Sequence, residues 1–210
     1  MTGMSMPRQE WYLGLPGYLR MWMTMMVPMM LPSLVPMVSR YYRSVPADGL
    51  RRHGLVALVG VGYFVIWACL GVVVYGAESG FKEIELGRDV PVGWLPGAAG
   101  VVLLAAGAAQ LSRWKARQLA FCRGEPGDDC HLVGTFPRAF RHGLALGLVC
   151  SRACGPLMLA LLATGMMEPL PMAAATLAIT AERLAPAPLR VARLAGLAIL
   201  ITGMVTVARG

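Results

Sequence analysis

Apolar stretches long enough to cross a bilayer recur along this chain, with arginine-rich segments between them. A helix needs roughly 20 predominantly apolar residues to span the hydrocarbon core. Inside lipid every backbone N–H and C=O must be satisfied within the protein, which leaves helices or a closed barrel as spanning structures. Composition agrees: 57% of the residues are hydrophobic and 14% charged, against about 25% charged in soluble domains. The pattern predicts an all-α, polytopic transmembrane helix bundle of about six spans, one domain over residues 1–210.

The spans are read at 18–38, 54–76, 91–112, 143–167, 169–183 and 188–208. The fifth, 169–183, lies between Pro-Leu-Pro and Pro-Ala-Pro and is short or re-entrant. The N-terminal apolar stretch is long and broken by prolines. Arg40, Arg43, Arg51 and Arg52 follow it, so it reads as a span and not as a cleaved leader. Thirteen of the 19 Lys and Arg residues fall in the loops 39–53, 113–142 and 184–187 with their flanks, five fall on the opposite side, and Arg152 lies within a span. Positive charge collects on the cytoplasmic side. A multi-pass protein of a bacterial inner (plasma) membrane is therefore expected, with both termini extracytoplasmic. The acidic linker 77–90 is an outer segment, and 113–142 is a basic cytoplasmic loop that opens with an amphipathic extension, Leu111 to Cys122, of the third span.

A net charge of +8 raises the question of nucleic acid. Here the basic residues sit between hydrophobic segments, where they set topology and meet lipid headgroups. The expected partners are the lipid bilayer and a membrane protein, with no nucleic acid.

Ten of the fifteen methionines fall within the first 37 residues. On a helix Met21, Met25 and Met29 form one stripe, and Met23, Met26 and Met30 a second. Prolines 28, 32 and 36 each remove a backbone donor, so this helix is expected to bend or open locally. Thioether sulfur is a soft donor suited to cuprous copper. It is equally a flexible filler of crowded cores, and the residues alone leave both roles open.

The fourth span carries Cys150, Cys154 and Met158 at i, i+4 and i+8, two thiols and a thioether on one face. Two thiolates can hold one cuprous ion, whereas a closed zinc site takes four ligands; a pair of small residues at a helix interface is the alternative. Arg152, in the same span, needs a partner, and Glu182 is expected to supply it. Met166, Met167 and Met172 gather at the hairpin after this span, at the level of Met21 to Met26, and suggest one outward-facing methionine cluster. Cys122, Cys130 and His131 match no zinc-ribbon spacing, and Cys69 reads as packing. No phosphate loop, nucleophile elbow, haem-attachment motif or HExxH occurs, so no enzyme is expected.

The opening Met-Trp…Met-Met…Pro-Met-Met-Leu-Pro-Ser run resembles that of a bacterial family of predicted metal-binding integral membrane proteins, some labelled copper chaperones. Further pieces agree in order: Lys115 with Cys122-Arg123, Gly147-Leu-Val-Cys150 leading to Cys154 and Met158, Gly165-Met-Met, Met172 and Glu182-Arg183. The chain departs where family members often carry Cys-Cys, having Ala153-Cys154, and where they often carry Glu-Lys, having Glu182-Arg183. The resemblance implies metal handling. Joined to the sulfur pattern, it gives an expected copper(I)-handling accessory protein or chaperone. Its ligands would be drawn from Met21, Met25, Met26, Met29, Cys150, Cys154, Met158, Met166 and Met167, and its metal would pass to a membrane partner such as a copper-dependent enzyme. The alternative is a non-catalytic structural or assembly subunit of a larger membrane complex, with Met and Cys only packing.

Overall fold

The computed structural model describes residues 14–45, 49–87, 94–123, 135–165 and 169–209. Among them the chain forms seven helices and no strand: α1 (Leu15–Ser44), α2 (Gly49–Gly87), α3 (Trp94–Leu111), α4 (Arg113–Arg123), α5 (Phe136–Thr164), α6 (Pro169–Leu184) and α7 (Pro188–Arg209). Four helices are long and apolar enough to cross a membrane: α1, α2 over Gly49–Gly80, α5 and α7. The apolar part of α3, Gly97–Leu111, is shorter, and α6 has 16 residues. Large apolar side chains such as Val73, Val101, Leu159, Leu177, Leu194 and Ile201 face outwards, the distribution expected when the surroundings are hydrocarbon.

Local chemistry sets the helix ends. Pro16 and Pro137 stand in the first turns of α1 and α5, where a missing N–H costs nothing. Gly165 closes α5 at φ 104°, a conformation that favours glycine, and its N–H reaches the Leu161 carbonyl at 3.1 Å. At the α3–α4 joint the Ser112 hydroxyl accepts from the Lys115 N–H at 3.2 Å and donates to the Ala109 carbonyl at 2.6 Å, capping α4.

Helix α1 is continuous through Pro28, Pro32 and Pro36, without a local opening. One expectation changes. Helix α2 continues past residue 76 through the acidic segment to Gly87, a stretch free of proline, so the presumed linker is largely helix. The stretch 113–142 holds α4 at its start and the first turns of α5 at its end.

Glycines bring the long helices together. A Cβ at Gly143 of α5 would lie 2.2 Å from the Val59 carbonyl oxygen of α2, and one at Gly147 would lie 2.9 Å from the Tyr63 carbonyl oxygen. Gly62 meets the backbone of Phe140 and Leu144 in the same way, so α2 and α5 run parallel at backbone contact. Gly100 and Gly107 of α3 face Gly203 and Gly196 of α7, an antiparallel pair built on seven-residue spacing. Helix α1 lies antiparallel to α2: Tyr18 meets Tyr75 and Glu78, and the Trp22 indole N–H donates to the Trp67 carbonyl at 2.9 Å beside Gly71.

Gly143→Ala is expected to lower the thermal unfolding midpoint of the detergent-purified protein by several degrees, because its methyl group meets rigid backbone. Gly60→Ala, on α2 with open space around it, should be neutral or stabilising, since alanine is favoured over glycine in helices by about 1 kcal/mol. Circular-dichroism melts of the two variants check this.

Candidate metal centre

Cys150 and Cys154 stand one turn apart on α5, both buried and both free thiols. Their Sγ atoms are 3.8 Å apart, far beyond a disulfide bond of about 2.05 Å. With metal–sulfur bonds of about 2.3 Å, that separation matches an S–metal–S angle of about 110° and leaves coordination positions for further donors. Met158, one turn on, is buried on the same face. The helical stripe expected from the spacing is therefore present.

Helix α1 contributes a second set of sulfurs to the same apolar cluster. Its buried face runs through Trp22, Met26, Met29, Met30, Ser33 and Leu34. Met26, Met29 and Met30 share one apolar cluster with Cys150, Cys154, Met158, Tyr63 and Trp67. The face takes members of both methionine stripes, because Trp22, seated against α2, fixes the rotation of α1. Met21, Met23 and Met25 are half-buried at the margin of the cluster, together with Met172 of α6. Met166 and Met167 lie outside the described residues, as do Cys130, His131 and the side chain of Cys122. Cys69 is exposed.

Polar groups the sequence did not single out complete the setting. The Tyr63 hydroxyl donates to Cys150 Sγ at 3.0 Å, a contact allowed by the α2–α5 glycines. Arg183 Nη2 of α6, buried, donates to Cys150 Sγ at 3.1 Å and lies 3.8 Å from Cys154 Sγ. Hydrogen bonds from a charged donor are stronger than those between neutral groups.

Beside the sulfurs, Lys115 Nζ of α4 forms a buried ion pair with Glu182 Oε2 at 2.7 Å. Gln110 of α3 donates to the other carboxylate oxygen, and Lys115 also donates to the Ala153 carbonyl. This corrects the expected Arg152–Glu182 pairing. Arg152 is exposed: it is two residues from each cysteine, which turns it to the opposite side of α5. Lys115 and Arg183 had a signal only in the resemblance; on α4, Lys115 is the position that Arg113 and Arg117 flank on the opposite side and that shares its buried face with Leu119.

Among the described residues, no group of three or more His, Cys, Asp or Glu side chains is placed to hold a metal ion. Any metal at this point must be one content with two thiols and thioethers.

Removing one member of a buried ion pair costs about 3–5 kcal/mol, whereas replacing both by apolar residues is often neutral. Lys115→Met is therefore expected to destabilise the protein strongly, and Lys115→Met with Glu182→Leu to recover most of the loss. Unfolding in mixed micelles of increasing dodecyl sulfate content, followed by circular dichroism, measures both.

The comparison with known families places the chain. A family model described as PpoB2, copper chaperone, matches residues 19–206. No curated protein and no solved structure matches. The match runs from α1 through nearly all of α7 and takes in every sulfur of the buried cluster together with Tyr63, Lys115, Glu182 and Arg183. The chain belongs to this family of copper chaperones.

Proposed function

We propose that this protein binds Cu(I) inside the membrane through Cys150, Cys154 and the methionines that meet them, and passes the ion to a membrane-protein partner, such as a copper-dependent enzyme. The observation that carries the reading is the buried Cys150–Cys154 pair of α5, with the Arg183 guanidinium of α6 on Cys150, in the same apolar cluster as Met26, Met29, Met30 and Met158. Thiolate and thioether donors select cuprous copper over harder ions. A Cu(I) ion on two thiolates carries one negative charge, and Arg183 supplies the positive charge beside it. Met26, Met29, Met30 and Met158 offer neutral, weaker sites next to the dithiol, so an ion can leave as well as arrive. Met21, Met23, Met25 and Met172 at the margin of the cluster would continue that path toward the end of α1 where it begins, with Met166 and Met167 as further donors.

In this reading α1, α2, α3, α5, α6 and α7 each cross a bacterial inner membrane, with the basic segments cytoplasmic and both termini outside. Helix α6, with 16 residues, is about 24 Å long, and a locally thinned bilayer accommodates it. The competing reading, a structural or assembly subunit, draws on the same packing: the cluster is apolar, well filled and already satisfied at Cys150 by Tyr63 and Arg183.

Anaerobic titration of the purified protein with Cu(I) against a chromogenic chelator separates the two. The expected result is one tightly held Cu(I) per chain, lost in Cys150→Ser with Cys154→Ser. Met26→Leu with Met29→Leu and Met30→Leu should weaken it. Arg183→Met removes a charge-assisted contact worth about 1.5–3 kcal/mol and should weaken binding by about ten- to a hundredfold; Arg183→Lys should fall between. Wild-type protein that takes up no Cu(I), or cysteine variants that bind it unchanged, leaves the structural reading standing.

A further inference from the structure

Away from the sulfurs, a cavity of about 90 Å³ opens between the α3–α4 joint and the start of α7. Its size, about three waters by liquid volume, suits a small headgroup and no larger ligand. Two helices begin at it. The first turn of α4 contributes Arg113, and the first turns of α7 contribute Leu189 and Arg193. Helix N-termini carry partial positive charge and free amides. Arg113 and Arg193 are both exposed, and neither has an ion pair or hydrogen bond to another described residue. The nearby carboxylate, Glu182, is already engaged by Lys115 and Gln110. Arg113, Arg193 and the N-terminus of α7 thus bring positive potential to a cavity with no free counter-charge among the described residues.

A further observation points to a ligand. Gln110 is 2% exposed and lines the cavity, yet its Oε1 has no hydrogen-bond partner among the described residues. A buried amide oxygen left in that state costs about 1–3 kcal/mol, so the site calls for a hydroxyl donor as well as an anion. Two lining residues, Leu111 and Leu189, are apolar and about 40% exposed, and Trp114, next in sequence to Arg113, is similarly exposed. Tryptophan in such a position is typical of the membrane interface, and basic pockets between helices at that level bind lipid headgroups.

We infer that this cavity is a binding site for one anionic phospholipid with a hydroxylated headgroup. Its phosphate lies between Arg113 and Arg193, a headgroup hydroxyl donates to Gln110 and its acyl chains run along the Leu111–Leu189 rim. The inference rests on the membrane reading of the chain and not on copper binding. Because α4 also carries Lys115, an occupied site would hold that helix against the buried ion pair.

Native mass spectrometry and thermal melts of the full-length protein in neutral detergent test it, with phosphatidylglycerol, phosphatidylcholine and inorganic phosphate as probes. One phosphatidylglycerol per chain should bind at least fivefold more tightly than phosphatidylcholine and raise the melting midpoint. Arg113→Gln with Arg193→Gln should abolish the preference at unchanged helix content, while Arg40→Gln with Arg43→Gln, at the far end of α1, should retain it. Equal binding of the two lipids, a preference that survives the Arg113/Arg193 change, or equal stabilisation by inorganic phosphate would overturn the assignment. Copper uptake is not read in any arm, so failure here is distinct from failure of the copper proposal.

Discussion

The Lys115–Glu182 pair is the point on which the described arrangement turns. A buried charge is tolerable only when matched and hydrogen-bonded on all sides. The residues that satisfy this one come from four helices: Gln110 from α3, Lys115 from α4, the Ala153 carbonyl from α5 and Glu182 from α6. Helix α6 is short and has little else to fix its depth against α5. With Glu182 tied to Lys115, the next residue, Arg183, is delivered to Cys150. An electrostatic requirement therefore becomes a positional one, and the sulfurs acquire a cationic neighbour as its consequence.

Two packing contacts bring the remaining participants. Glycines at 62, 143 and 147 let α2 and α5 touch backbone to backbone, which carries the Tyr63 hydroxyl to Cys150. The Trp22 indole, hydrogen-bonded to the Trp67 carbonyl and lying where any side chain at Gly71 would collide, sets the rotation of α1. Once Trp22 is inward, Met26, Met29 and Met30 follow at the helical period. None of these contacts involves a metal. The cluster is built by ordinary helix packing, and its chemistry is a result of which side chains that packing leaves at the centre.

This explains which parts were legible in the sequence. Apolar length announces helices, and the i, i+4, i+8 spacing of Cys150, Cys154 and Met158 announces a shared face, because both depend on local periodicity alone. The rotation of α1 was not legible: two methionine stripes were equally regular, and a contact with α2, 45 residues away, turned inward a face that draws on both. Lys115 was hidden for a similar reason. Among Arg113, Trp114 and Arg117 it looks like one more residue of a solvated face, and only the tertiary position of Glu182 shows that it points inward. Arg152 misled in the opposite sense. Its place in an apolar span suggested an inward partner, while the two-residue offset from either cysteine already sent it outward.

The identity of the charges near the sulfurs bears on which ion this centre would suit. A ligating cysteine acts as thiolate, so two of them bring two negative charges. In a low-dielectric interior an uncompensated charge is costly. A divalent ion on this pair makes a neutral unit beside Arg183 and leaves the guanidinium without a counter-charge there. A monovalent ion makes an anionic unit that the guanidinium matches, donating to Cys150 Sγ from 3.1 Å. By matching that charge the contact would favour the bound monovalent ion, which is why its removal is expected to weaken binding. In the proposed reading, neutral thioethers beside the dithiol would give such an ion weaker neighbouring sites to move to. Retention without permanence is what transfer demands, and it would follow from bordering two thiols with thioethers in place of a third thiol.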